Sequence, residues 1–286
     1  MLPHFCQSAN GLPGLPGSRI MTAMPPDRRK LIQMGVVLLV LLALVTVWLI
    51  LTPPGGWNKL DAVAYSVCHR IPSHSFSVNG QPLPLCARCS GMYLGAFLSL
   101  AVLLPGRKTG FPARPILAVL AVLLLAVALD GVNSYLTLLP NEWNLYEPLN
   151  WLRMATGSGL GIGIGAVLSA AFAQVIWQDP DPRPALNGKR LLILVSVMVV
   201  LNLAILSDIP LLLVPLAITS VIGVVLALSL IYTALWVMLL KRDNTFPTWR
   251  SLWLNWVIGL DTAFAQILAF DLLRFALTGT WTGFFS

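Results

Sequence analysis

Three cysteines and two histidines lie close together in the first third of the chain. Cys68 and His69 are neighbours, and Cys86 and Cys89 form a Cys-x-x-Cys motif further on. Such a motif places two thiolates on one turn of backbone, which is the chelating geometry of tetrahedral, sulfur-rich zinc sites. The pattern therefore predicts a transition-metal site, with zinc as the simplest occupant. Its ligands would be Cys68, Cys86, Cys89 and one histidine, which is His69 or, as the alternative, His74.

The same thiols also fit a redox enzyme or a structural bridge. Cys86 and Cys89 fall at the start of an apolar segment, where the positive end of a helix dipole and Arg88 both favour the thiolate. A membrane thiol–disulfide oxidoreductase linked to quinone would use this pair, although such relays usually need a second pair. A disulfide from Cys68 to either of them would instead pin the loop. A third hypothesis is an assembly or interaction protein without chemistry of its own.

The composition indicates an all-α, polytopic integral membrane protein. Hydrophobic residues make up 57% of the chain and charged residues 10%, with a mean hydropathy of +0.81. These values leave too few charges to cover a soluble globule. The net charge of +7 does not indicate nucleic-acid binding, because the basic residues stand in small clusters beside apolar runs. The partner that the composition predicts is the lipid bilayer.

About seven transmembrane helices follow from the lengths of the apolar runs. The predicted spans cover residues 31–51, 86–104, 115–138, 151–177, 191–206, 211–240 and 252–277. Residues 1–30 are rich in proline and glycine, and we expect them to form a disordered tail. Residues 31–286 then form one membrane domain, in which residues 191–286 supply additional helices.

The distribution of lysine and arginine predicts a cytoplasmic N-terminus and a position in the cell membrane. With that orientation, thirteen of the 18 basic residues fall on the inner side. They are Arg19, Arg28, Arg29, Lys30, Arg107, Lys108, Arg114, Arg183, Lys189, Arg190, Lys241, Arg242 and Arg250. The opposite orientation would reverse this bias, so we expect the cysteine loop to be extracytoplasmic.

Five short blocks of the sequence carry a family resemblance. They are C-H at 68–69, S-F at 75–76, L-C-A-R-C-S-G-M-Y-L-G at 85–95, D-G-V-N-S at 130–134 and N-W-L-R-M-A-T-G at 150–157, with Gly161. Together they resemble the signature of bacterial membrane proteins grouped as DUF2085. The resemblance covers about residues 57–175, and His74 stands where the family usually has arginine. It implies a multi-pass membrane protein and groups these blocks together, but it implies no activity.

Charged and polar residues beside the predicted spans form a supporting set for the cysteine site. Asp130 lies in the outer half of the third span, where a carboxylate is costly without a partner. We expect it to pair with Arg88 or Arg153, directly or through Asn150. The alternative is that Asp130 caps a short helix that ends at Gly131.

Glycines recur at every fourth position in the fourth span. Gly157, Gly161 and Gly165 share one helix face, which is typical of close contact between transmembrane helices. The run lacks the preceding strand that a dinucleotide-binding loop requires, so we expect helix packing and no phosphate site.

Overall fold

A computed structural model of the protein describes residues 26–137, 145–207 and 209–281. These residues contain eight α-helices: α1 Pro26–Leu51, α2 Gly56–Tyr65, α3 Ala87–Leu103, α4 Arg114–Leu136, α5 Asn150–Ile176, α6 Gly188–Leu206, α7 Pro210–Leu239 and α8 Trp249–Thr278. Seven of them, all except α2, are long and apolar enough to cross a membrane. The predicted all-α, multi-pass fold is therefore confirmed, and each predicted span corresponds to one of the seven.

Proline and capping residues indicate the ends of the helices better than the lengths of the apolar runs do. α1 begins at Pro26, so the last residues of the predicted tail are helical, while residues 1–25 lie outside the described part of the chain. Proline also lies in the first turn of α4 and of α7. Proline is tolerated there because the first N–H groups of a helix make no hydrogen bond within the helix. The predicted third span reached residue 138, which lies outside the described residues, and α4 ends at Leu136.

A short helix and a tight hairpin, neither of them predicted, shape the loop that carries the cysteines. α2 spans Gly56–Tyr65, too short to cross a bilayer, and leads directly to Cys68. The strands β1 Ser77–Val78 and β2 Gln81–Pro82 then pair antiparallel. Asn79 (φ 50°) and Gly80 (φ 80°) form the turn between them, and Asn-Gly is the sequence that favours two consecutive positive φ angles. The hairpin returns the chain to the start of α3.

The centre of the bundle is the contact between α3 and α5. A methyl group built on Gly157 or Gly161 would overlap a backbone carbonyl oxygen of α3, and one on Gly165 would overlap the side chain of Ser99. From the other side, Gly91 and Gly95 of α3 approach the backbone of α5 in the same way. The glycine face of the fourth span therefore lies against α3, and the missing side chains let the two backbones approach closely.

The remaining spans surround this pair. Half of the residues in the 18-residue apolar stretch of α5 are buried, whereas only 6% of the corresponding stretches of α1 and α4 are buried. The surfaces of α1 and α4 are apolar and suited to contact with lipid. α7 packs on α3 and α8, and α1 packs on α8. At the end opposite the cysteines, β3 Lys108–Gly110 pairs in parallel with β4 Asp181–Pro184. The basic clusters and the cysteines therefore occupy opposite ends of the bundle.

Candidate metal centre

The structure brings the three cysteines of the predicted site together. Their sulfur atoms all lie within 4.8 Å of one another, although Cys68 follows α2 while Cys86 and Cys89 belong to the start of α3. The backbone N–H of Cys86 donates a hydrogen bond to Sγ of Cys68 at 3.4 Å. Cys68 is buried, the other two are half-buried, and all three are free thiols.

The two histidines proposed as the fourth ligand lie outside this group of sulfur atoms. His69 and His74 instead line the wall of a cavity of about 330 Å³ that also exposes the cysteines. The residues around it are Cys68, His69, Arg70, Ile71, His74, Cys86, Arg88, Cys89, Gly131, Ser134 and Tyr135. The structure therefore supplies three sulfur ligands facing a cavity and leaves the choice of a fourth ligand open.

Hydrogen bonds among the three thiols favour a thiolate at Cys68 over one at Cys86. Hydrogen bonds from the thiols of Cys86 and Cys89 lower the pKa of Cys68 well below its ordinary value of 9.0. Its hydrogen bond to that sulfur raises the pKa of Cys86 to about 11. The first thiolate is therefore stabilised, whereas the next one must form beside an existing negative charge. A bound cation would remove this obstacle, because metal ligation requires and favours deprotonated sulfur.

Arg274 of α8 holds the backbone of the cysteine loop, which sequence reasoning missed. Its Nη1 donates hydrogen bonds to the carbonyl oxygens of Tyr65 at 2.6 Å and Cys68 at 2.5 Å. Its Nη2 donates to the carbonyl oxygen of His69 at 3.1 Å. The sequence signal was an arginine in an apolar helix, which indicates a partner but does not say which one.

Asp130 pairs with Arg88, one of the two predicted partners. Nε of Arg88 donates to Oδ2 of Asp130 at 3.1 Å, and Nη2 completes the ion pair with the same oxygen. The hydroxyl of Tyr146 donates to the other carboxylate oxygen at 2.9 Å. α4 continues to Leu136, so Asp130 does not end a short helix at Gly131. The pair joins the first turn of α3, between the two cysteines of the motif, to α4.

Ser134 links this ion pair to Arg153, the other predicted partner. Its hydroxyl oxygen accepts hydrogen bonds from Nη2 of Arg88 at 3.1 Å and from Nε of Arg153 at 3.3 Å. Arg153 also donates to Oδ1 of Asn150 at 2.9 Å. The amide of Asn150 in turn donates to the carbonyl oxygen of Ser73 at 3.2 Å. Asn150 therefore connects Arg153 to the cysteine loop, and it does not bridge to Asp130.

His74 is held in its neutral form. Burial lowers its pKa from 6.5 to about 4, and the positive charges of Arg153 and Arg88 act in the same direction. A neutral imidazole is the form that binds metals and accepts hydrogen bonds.

Comparison with known proteins places the site inside a matched segment. A family model described as Predicted membrane protein (DUF2085) matches residues 68–167. An uncharacterised protein of Methanothermobacter thermautotrophicus is 37% identical over 112 residues, which cover 38% of this chain and 90% of that protein. An uncharacterised protein of Methanocaldococcus jannaschii is 28% identical over 126 residues, covering 43% of this chain and 76% of that protein. No solved structure is a significant match.

The matched segment begins at Cys68 and ends within α5. It contains the three cysteines, Arg88 and Asp130, and it leaves α1, α2 and α6 to α8 outside. Both relatives are archaeal, so the similarity extends beyond the bacterial proteins that the sequence resembles. They are also much shorter than this chain, because a segment of less than half its length covers most of each relative.

Proposed function

The chain belongs to the DUF2085 family of predicted membrane proteins, and we propose that it binds one transition metal ion through Cys68, Cys86 and Cys89. The observation that carries the proposal is the approach of three free thiol sulfurs to within 4.8 Å of one another. Cys68 reaches this position from a different element than the other two, so the fold itself assembles the cluster.

The dimensions and chemistry of the cluster fit a soft metal ion. A zinc–sulfur bond of about 2.3 Å places the sulfurs of a tetrahedral site roughly 3.8 Å apart. The observed separations allow that spacing after small rotations of the side chains. Thiolate ligands select zinc, copper(I) and iron–sulfur clusters over magnesium or calcium. Zinc is the simplest occupant, and Arg88, Asp130, Asn150 and Arg153 would support the loop and the start of α3 around it.

The fourth coordination position would face the cavity. Structural zinc sites have four protein ligands, whereas sites that bind a substrate keep three and leave one position for an exchangeable group. Three sulfurs beside a cavity of about 330 Å³ correspond to the second arrangement. We therefore propose a binding centre at the extracytoplasmic face of the cell membrane, an orientation supported by the basic clusters at the opposite end.

Elemental analysis of the detergent-purified protein tests the metal. We expect about one zinc or other transition metal ion per chain, and three additional reactive thiols after chelation. Cys89→Ser should lose the metal, because two sulfurs would remain. Cys6→Ser is the matched control and should retain it. A wild-type protein that takes up no metal, even after reduction and incubation with zinc, would contradict the proposal.

A thiol–disulfide oxidoreductase is the second candidate, favoured by the lowered pKa of Cys68. A thiolate in contact with two thiols can form a disulfide with either, releasing two electrons and the remaining thiol proton. The electrons would pass to a membrane quinone. Alkylation followed by mass spectrometry separates the candidates, since this enzyme requires a reversible disulfide within the cluster and a metal site requires three thiols that chelation exposes.

A further inference from the structure

We propose that the cavity beside the three cysteines binds a small organic anion, whose charged group occupies the fourth position of the metal. This inference rests on the proposed metal site. Two arginines and two histidines contribute to the cavity wall together with the sulfurs. Among the described residues that line it, none carries a carboxylate. The wall therefore offers hydrogen-bond donors to a ligand, while the carboxylates that pair with its two arginines lie outside the lining.

Arg88 is oriented for such a ligand. Asp130 and Ser134 accept hydrogen bonds from its Nε and Nη2, so these contacts fix the plane of the guanidinium. The remaining edge, Nη1, lies beside Gly131 in the cavity wall, 3.9 Å from the position a Cβ would take there. A guanidinium that is held on one edge and open on the other can bind a carboxylate or a similar anion with little loss of side-chain freedom.

Arg70 adds a second fixed cation. Its Nη2 forms an ion pair with Asp61 at 2.9 Å, and its Nη1 donates to the carbonyl oxygen of Trp281 at 3.3 Å. Its Nε is buried and has no hydrogen-bond partner among the described residues. The backbone of Arg70 has φ 54°, a conformation that residues other than glycine seldom adopt.

Three arginines around the cavity face two carboxylates among the described residues. Asp61 and Asp130 compensate Arg70 and Arg88. Arg153 is also buried, and its described hydrogen bonds go to the neutral side chains of Ser134 and Asn150. Buried positive charge normally has a compensating negative charge nearby. A single thiolate, or a divalent metal held by three thiolates, supplies one negative charge, so an anion at the fourth position would depend on the hydrogen-bond donors of the wall. The size of the cavity limits that anion to a small molecule.

Cobalt(II) provides the test, because its visible absorption reports each change in a tetrahedral thiolate site. The detergent-purified wild-type protein would be loaded with cobalt and titrated with acetate and with azide, using acetamide as the neutral control for acetate. We expect a saturable change in the cobalt bands with the anions and none with acetamide. Arg88→Gln should weaken anion binding about tenfold or more, measured on the fraction of that variant that retains the cobalt–thiolate bands. Arg183→Gln, at the opposite end of the bundle, should behave like wild type.

The outcomes separate the two proposals. Cobalt–thiolate bands that neither anion changes would overturn the anion site and leave the metal site standing. Absence of cobalt binding would overturn the metal proposal and, with it, this inference. If Arg88→Gln does not fold or loses the cobalt, Arg70→Gln tests the same cavity, and unchanged anion affinity in that variant would contradict the role of the cavity wall.

Discussion

At the scale of single residues, the ion pair between Arg88 and Asp130 combines burial with a position next to the cysteines. Only 2% of the Asp130 side chain is exposed, against 27% of that of Arg88. Removing one partner of such a pair leaves a buried charge without compensation, which costs more than removing both. Arg88 lies in the sequence between the two cysteines of the motif. We therefore expect the ion pair to help hold that turn of α3 in place.

A double-mutant cycle tests this coupling. Asp130→Ala should destabilise the protein by about 3 kcal/mol, and Arg88→Gln should also destabilise it. The double variant should lose less than the sum of the single losses, by about 1 kcal/mol or more. Unfolding by denaturant in mixed micelles measures all four proteins. Additive losses would show that the two side chains do not depend on each other. The exposed pair Asp181 and Arg183 supplies a control cycle with much smaller effects.

The lowered pKa of His74 predicts how stability depends on pH. An unfolded chain protonates this histidine near pH 6.5, whereas the folded protein does so near pH 4. Stability should therefore fall as pH decreases from about 6.5 to 4, because the unfolded state binds the proton first. His74→Gln should lose less stability than wild type over this window, measured by thermal unfolding in detergent at pH 7 and 4.5. His4→Gln is the matched control, and equal losses in wild type and His74→Gln would contradict the prediction.

At the scale of elements, the contact between α3 and α5 determines where the cysteines lie. The start of α3 carries two of them, and the glycines of α5 permit the close approach that fixes its position. Gly161 and Gly163 differ in this respect. A Cβ at Gly161 would overlap the carbonyl oxygen of Met92, whereas one at Gly163 would be 3.7 Å from Leu120, an ordinary contact.

Alanine substitutions at these two glycines should therefore affect the stability of the protein differently. Gly161→Ala forces the helices apart and should cost about 1–3 kcal/mol, with a drop in bound metal if α3 shifts. Gly163→Ala should be neutral or stabilising, because alanine favours helix. Stability in mixed micelles and metal content per chain are the measurements. Equal effects of the two changes would mean that the glycine face does not control the packing.

At the scale of the whole molecule, helices outside the family-matched residues pack against the described core. The matched residues 68–167 end in α5, yet α7 packs on α3, and Arg274 of α8 holds the backbone at Cys68. The matches to the two shorter relatives cover 38% and 43% of this chain. A helix outside the family-matched residues, α8, therefore contributes directly to the position of the cysteine loop.

The membrane spans could be predicted from the sequence because apolar length is a property of one continuous segment. The juxtaposition of Cys68 with the Cys-x-x-Cys motif could also be predicted, because the sequence contains few other cysteines or histidines that could serve as ligands. The choice of Arg88 over Arg153 as the partner of Asp130 depends on how α3 and α4 are rotated against each other, which no local pattern encodes. The role of Arg274 was missed for the same reason, because its acceptors lie on another element.

The orientation of the whole molecule is the remaining prediction. If the cysteine loop is extracytoplasmic, an impermeant maleimide should label Gln81→Cys in intact cells, because this residue is exposed on the hairpin before α3. Asp243→Cys, exposed between α7 and α8 at the basic end, should react only after the membrane is opened. Wild type gives the background from the native cysteines. The reverse labelling would place the basic clusters outside the cell, against the charge bias. It would also place the proposed centre on the cytoplasmic side. Thiols stay reduced there, which would favour metal binding over disulfide exchange.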